Sequence, residues 1–178
     1  KQLPVAPHRN SASICPIATL WVHAGYCRHI QEREMFQTFD VTARPEQGLD
    51  RLAALRSQLE NEGLDGFLVP RADAHQGEYV APHDERLSWL TGFTGSAGFC
   101  AALRSVAGVF IDGRYRTQVK SQVADVYTPV PWPDVTLGDW LVEQLPQGGT
   151  IAYDPWLHSM REIRELNTSI WKYPFHPE

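Results

Sequence analysis

Between positions 73 and 85 the chain carries Asp73, His75, Glu78, His83, Asp84 and Glu85, and Asp112 follows further on. Carboxylate oxygens mixed with imidazole nitrogens suit manganese or zinc. No His-Glu-x-x-His or comparable spacing sets two of them on one helical face. The residues alone therefore leave open solvated loop groups with a helix cap, contacts to a partner, and a metal site. Asp112-Gly-Arg-Tyr115 also has two readings. In one, Asp112 caps a helix, Gly113 permits the turn and Tyr115 anchors it; in the other, Arg114 points at a carboxylate of a substrate or a neighbouring chain.

Gly92-Phe-Thr-Gly-Ser-Ala-Gly98 is a glycine-punctuated turn whose amides could cradle a phosphate. It lacks the Gly-Lys-Ser/Thr ending of a P-loop, and it follows a helix and precedes a strand, the reverse of the dinucleotide-binding order. Ser96 is one glycine out of register for a nucleophile elbow. A structural turn with positive φ is the simpler reading. His23, Cys27 and His29 lack the second cysteine pair of a zinc site. Cys15, Cys27 and Cys100 are too few and too odd for a disulfide framework, and Cys100, within an apolar run, reads as an inert buried thiol.

These groups sit in 178 residues that are 43% hydrophobic and 21% charged, enough apolar material for a core. Sixteen Lys and Arg against 21 Asp and Glu give a net charge of −5, which argues against nucleic acid or an anionic membrane as the main partner. The longest apolar run, Ile14 to Val22, is broken by Pro16 and is far short of the roughly 20 residues of a spanning helix. The chain reads as globular and cytoplasmic. Residues 1–34 hold no helical or strand period, and Lys1, Arg9, Arg28 and Arg33 outnumber Glu32 and Glu34. They read as an irregular leader outside the functional fold.

The later residues alternate between helical and strand patterns. Leu49, Leu52, Leu55 and Leu59 recur at helical spacing over 48–62, with Gly63 as the stop. Gly66 to Pro70 suits a buried strand, 71–82 a polar loop, and Asp84 the cap of a short helix through Leu90. Strands are expected over 97–103, 106–111, 126–130 and 150–153, and helices over 114–123, 137–145 and 159–166. This alternation predicts a layered α/β fold with a mixed β-sheet. After Leu166 two prolines and the lack of a period mark an irregular tail, 167–178.

Val69-Pro-Arg-Ala-Asp-Ala-His-Gln-Gly-Glu-Tyr-Val-Ala-Pro82, His83-Asp-Glu-Arg86, Leu90-Thr-Gly-Phe-Thr-Gly-Ser-Ala-Gly98 and Asp112-Gly-Arg-Tyr115, in that order, resemble the N-terminal domain of the Xaa-Pro aminopeptidases (aminopeptidase P). The likeness runs from about Leu49 to Leu166 and is closest to the larger, cytosolic, multi-domain type. It implies the creatinase/prolidase N-terminal domain, a mixed β-sheet flanked by helices with ribonuclease H-like topology, over residues 35–166. It also implies a parent that removes an N-terminal residue preceding proline, a bond to a tertiary amide. Two divalent metals, often manganese, would be held by two Asp, one His and two Glu of a C-terminal pita-bread domain. No residue of this chain matches those ligands, so no catalytic or metal-binding residue is assigned to it.

The resemblance thus implies a non-catalytic domain that borders the active site or assists assembly and is inactive alone. Its partners would be the missing catalytic domain, a peptide with proline second and other copies of itself. His75, Glu78, Tyr79, His83, Asp84, Arg114 and Tyr115 are the candidate substrate or partner contacts. The irregular first 34 residues and the tail suggest a fragment or a disrupted reading frame. The alternatives are a stand-alone binding module that kept the fold without peptidase activity, and an independent metal hydrolase built on Asp73, His75, His83, Asp84 and Asp112. Limited proteolysis should cut residues 1–34 first, as mass spectrometry of the fragments would show; protection of this segment would contradict the leader reading.

Overall fold

The computed structural model describes residues 43–170. The expectations for residues 1–34, and for the tail beyond residue 170, fall outside that range. Helix α1 spans Glu46–Asn61. It stops where Gly63 donates to the Glu60 carbonyl and Leu64 to the Leu59 carbonyl, at 3.1 and 2.8 Å, the paired closure of a Schellman end. Strand β1, Gly66–Pro70, follows, then the loop, a 3₁₀ turn at Pro82–Asp84 and the short helix α2, Arg86–Thr91. Strands β2, Gly98–Leu103, and β3, Ala107–Ile111, form a hairpin. A 3₁₀ turn at Gly113–Tyr115 leads to α3, Gln118–Gln122, and to β4, Thr128–Pro131. Helix α4, Leu137–Gln144, strand β5, Ile151–Tyr153, and helix α5, Met160–Ile170, complete the described chain.

The five strands form one mixed sheet in the order β4-β3-β2-β1-β5. β2 is antiparallel to both neighbours, whereas β5 runs parallel to β1 and β4 parallel to β3. Side chains alternate across the pleat. One face sets Val69, Cys100, Ala102 and Val109 against Leu52 of α1 and Leu87 and Leu90 of α2. The other sets Leu68, Ala101, Leu103 and Phe110 against Trp140 and Leu141 of α4, with Leu166 and Ile170 of α5 packed beside them. Helices on both faces of a mixed sheet match the sequence expectation. The Tyr127 hydroxyl ties the first layer together by donating to the carbonyls of Gly48 and Leu90 at 3.1 and 2.7 Å. Burial pushes the Cys100 thiol up to about 12, so it stays protonated and inert. Among the described residues no helix is long and apolar enough to cross a membrane.

Four local expectations need correction. Leu49 does not join the buried stripe of α1 and is 49% exposed. Asp84 does not cap α2, because its amide closes the 3₁₀ turn on Ala81 and its carboxylate meets Arg86 and His83 instead. The single helix expected over 114–123 is broken, because the Asp112 carboxylate takes the Arg114 amide and the Asp112 carbonyl takes the Tyr115 amide, closing a 3₁₀ turn first. The pattern does not end at Leu166. Helix α5 continues to Ile170, which falls four residues after Leu166 and packs on the same cluster. Ser159 and Glu162 bond each other's amides at the start of α5, a capping box.

Gly92 ends α2 at φ +86°, and a Cβ there would stand 2.3 Å from the Gln122 carbonyl oxygen. Gly92→Ala therefore incurs both left-handed backbone strain and a backbone clash. It should lower unfolding free energy by about 2 kcal/mol or more in denaturant titrations; an unchanged midpoint would contradict this packing.

Candidate functional site

The register fixes which connections meet. Pro70 pairs with Phe99, Gly98 with Ile111, Ile111 with Pro131, and Leu68 with Tyr153. The carboxyl ends of β1, β3, β4 and β5 and the amino end of β2 therefore lie at one end of the sheet. The segments 71–85, 92–97, 112–117, 132–136 and 154–159 all emerge there. Carboxyl ends of strands are where open α/β sheets hold their ligands.

The loop after β1 is built around Asp73, only 8% exposed. Its carboxylate accepts the amides of His75 at 2.9 Å and Gly77 at 3.3 Å, and its carbonyl accepts the Gln76 amide. Those amide bonds, Gly77 foremost, hold the Asp73 carboxyl below its ordinary range. Gln76 takes a left-handed φ of 57° and donates from Nε2 to the Leu157 carbonyl at 3.0 Å, which docks the loop on segment 154–159. Arg71 braces the far side by donating to the Glu78 carbonyl at 3.0 Å and lying 3.7 Å from Glu85. With its backbone so held, the loop turns His75, Glu78 and Tyr79 to solvent, and Tyr79 is 88% exposed. His83 Nε2 lies 3.1 Å from Asp84 Oδ2.

Beyond β3, the Arg114 guanidinium clasps Asp112 of its own chain at 2.6 and 3.0 Å and lies over the Tyr115 ring. This bond holds the Asp112 carboxyl below its usual range. The cap reading of Asp112 thus holds, and in this arrangement Arg114 is engaged within its own turn. Tyr115 reaches back to the glycine turn. Its hydroxyl lies 2.6 Å from Ser96 Oγ and accepts the Ser96 amide at 3.1 Å, while its ring meets Phe93 edge-on. The Phe93 amide goes to Thr91 Oγ1 and the Thr94 amide to Gln122 Oε1. Three amides that a phosphate would need are thus spent, and the turn is structural.

The candidate residues fall into two groups at one end of the sheet, 75–84 after β1 and 114–115 after β3, with the turn that feeds β2 between them. Among the described residues no hydrogen bond or ion pair joins the groups, and no three of His, Cys, Asp and Glu come together to hold a metal ion. The ligand set Asp73, His75, His83, Asp84 and Asp112 does not assemble, since Asp73 serves amides, Asp84 faces Arg86 and Asp112 faces Arg114. Among the described residues the paired metals implied by the resemblance find no fitting set of donors.

Sequence reasoning passed over the two outer segments. Trp132 after β4 is 41% exposed and Trp156 after β5 is 77% exposed. Between these segments opens a cleft of about 640 Å³, lined by Leu68, Phe99, Trp132, Leu157, His158 and Ile163 among others. The available signal was aromatic residues next to proline in connections, at Trp132-Pro133 and Pro155-Trp156.

Comparison with known proteins agrees with this geometry. The family model described as the creatinase/prolidase N-terminal domain matches residues 51–173. Xaa-Pro aminopeptidase 2 of Rattus norvegicus is 38% identical over 113 residues, 62% of this chain and 16% of the relative. The Homo sapiens protein of the same name is 41% identical over 61% of this chain and 16% of its own length. The chain therefore spans less than a fifth of these relatives. Among solved structures, a Caenorhabditis elegans X-prolyl aminopeptidase, described as a cytosolic enzyme with a di-nuclear active site, superposes with a TM-score of 0.63 at 31% identity. That match covers 70% of this chain and 22% of that one. The creatinase/prolidase-like N-terminal domain of a Corynebacterium diphtheriae protein superposes at 0.51 with 26% identity, over 68% of this chain and 87% of that domain.

Because the folded-state value of Asp73 is depressed, its support of the loop is complete above its unfolded value of about 3.9 and is lost as pH falls through the lower folded value. The His75 and Gly77 amides should stay protected from hydrogen exchange down to about pH 4 and lose protection below it. Asp73→Asn should weaken that protection at neutral pH. Protection that is unchanged by acid and by this substitution would contradict the role of Asp73.

Proposed function

The chain belongs to the creatinase/prolidase N-terminal domain family, and from that premise we propose that it is the non-catalytic domain of an Xaa-Pro metallo-aminopeptidase. The end of the sheet that carries His75, Glu78, Tyr79, His83, Asp84, Arg114 and Tyr115 borders the active site of the parent and meets its substrate or its catalytic domain. Two divalent metals, manganese in this reading, supply an activated water in the parent; they belong to the catalytic domain, and this chain takes no part in holding them. The parent is cytoplasmic in the same reading, which the cytosolic description of the Caenorhabditis elegans neighbour supports.

The observation that carries the proposal is the convergence of five braced connections at one end of the sheet. A peptide bond to proline has no N–H to offer, so an enzyme that cleaves it must grip the rest of the peptide. Polar side chains held on a rigid rim are suited to that task, because positioned groups lose little freedom when they bind. The small share of the relatives that this chain spans supports the view that catalysis needs further sequence.

The purified chain, supplied with manganese and an Arg-Pro-Pro peptide, should release no arginine above the level of a chelator control. Chelator-sensitive release by chain freed of contaminating peptidase would overturn the non-catalytic assignment.

A further inference from the structure

Segment 154–159 carries two features that meet across one peptide bond. The Leu157 carbonyl accepts from Gln76 Nε2 at 3.0 Å, the bond that docks the 71–85 loop, and Leu157 itself is 3% exposed. The next residue, His158, has its Nε2 shut from solvent with no hydrogen-bond partner, alone in this among the side-chain nitrogens and oxygens of the described residues. Buried polar atoms are nearly always satisfied, so an orphan of this kind calls for an explanation. Because a peptide group is planar, the Leu157 carbonyl and the His158 nitrogen turn together.

A neutral imidazole tolerates this place, since with its proton on Nδ1 only a lone pair is buried at Nε2. The cation does not, because Nε2 then carries an N–H with no acceptor and the ring brings a charge into the site. Burial accordingly holds the imidazole below its usual range, against the upward pull of Glu162 and Asp154. Nothing that faces the ring offers Nε2 an acceptor. Tyr153 of β5 meets it edge-on at 5.5 Å, and Arg71 and Glu165 line the neighbouring cleft. The Glu162 carboxylate accepts the Ser159 amide at 2.7 Å and that of Asp154 accepts the Trp156 amide at 2.9 Å. Both attract a charged ring that turns outward.

We propose that His158 is an acid-sensitive latch on the rim: on gaining a proton its ring leaves the buried site, turns the peptide it shares with Leu157, and releases Gln76 and with it the tip of the 71–85 loop. Because the folded value of His158 lies below the unfolded value of about 6.5, docking is complete above that pH and is lost as pH falls through the folded value. The turn around Asp73 persists through this step, since its carboxylate gains a proton only at lower pH. The latch does not depend on the aminopeptidase reading.

The test follows the full chain by NMR from about pH 7.5 to about 4.5, above the range in which Asp73 titrates. The His158 ring and the Gln76 side-chain amide should titrate together, with one midpoint below about 6.5. In His158→Phe, which keeps a ring against Tyr153 but cannot take a proton, the Gln76 signal should stay fixed over that range. Coupling between two sites is reciprocal. Asn tolerates the left-handed φ at position 76 but is too short to reach Leu157, so Gln76→Asn should raise the His158 midpoint by about half a unit. Gln76 is exposed, so this variant keeps the test decisive if His158→Phe fails to fold. A His158 that stays neutral throughout, a Gln76 signal that does not move with it or still moves in His158→Phe, or a His158 midpoint unchanged by Gln76→Asn would overturn the proposal.

Discussion

Strand β2 is the constraint on which the rest of the structure depends. From Cys100 to Leu103 its residues are 1% exposed or less, on both faces and on both edges of the strand. A strand buried on both faces needs a helical layer above and below, and it needs neighbours to take every backbone hydrogen bond. β1 and β3 fill the second role from either side. Ala101 and Ala102 keep the strand thin, and beside it Gly108 leaves room for Trp140, whose ring would stand 2.9 Å from a Cβ there. The two layers can then close on the centre of the sheet, α1 and α2 on one side and α4 and α5 on the other.

The direction of β2 also decides where chemistry can sit. It runs against every other strand, so its entry turn shares one end of the sheet with the exits of β1, β3, β4 and β5. Each connection there is fixed from within: Asp73 by two amides, Tyr115 by Ser96, Gln76 by the Leu157 carbonyl. Among the described residues these polar groups do not gather into a set of three metal ligands. They hold steady the side chains that point outward, which is the arrangement suited to recognition.

Much of this was legible because the relevant signals are local. Leu52 and Leu59 at helical spacing, the wholly apolar Gly66–Pro70, and Asp112 before Gly113 each fix a short element through its own residues. What was missed depends on partners far along the chain. The exposure of Leu49 follows from how α1 leans on the sheet, and the extension of α5 to Ile170 follows from the cluster that receives it. The Asp84 cap failed because Arg86 and His83 compete for the same carboxylate. Arg114 was legible as a residue able to grip a carboxylate, but the carboxylate it holds is its immediate neighbour Asp112. The cleft at His158 was beyond local reading, since its walls come from β1, β2, segment 132–136 and α5.

The central claim is that this end of the sheet serves the parent enzyme, and it is tested most directly by steady-state kinetics in a full-length enzyme containing this domain. His83→Ala and Arg114→Ala lie at that end, while Arg104→Ala lies at the opposite end, beyond the carboxyl end of β2. The account predicts that the first two lower kcat/KM for an Xaa-Pro peptide by about tenfold or more while leaving the melting temperature within a few degrees, and that Arg104→Ala leaves kcat/KM unchanged. Full activity in both rim variants, with the fold intact, would contradict it.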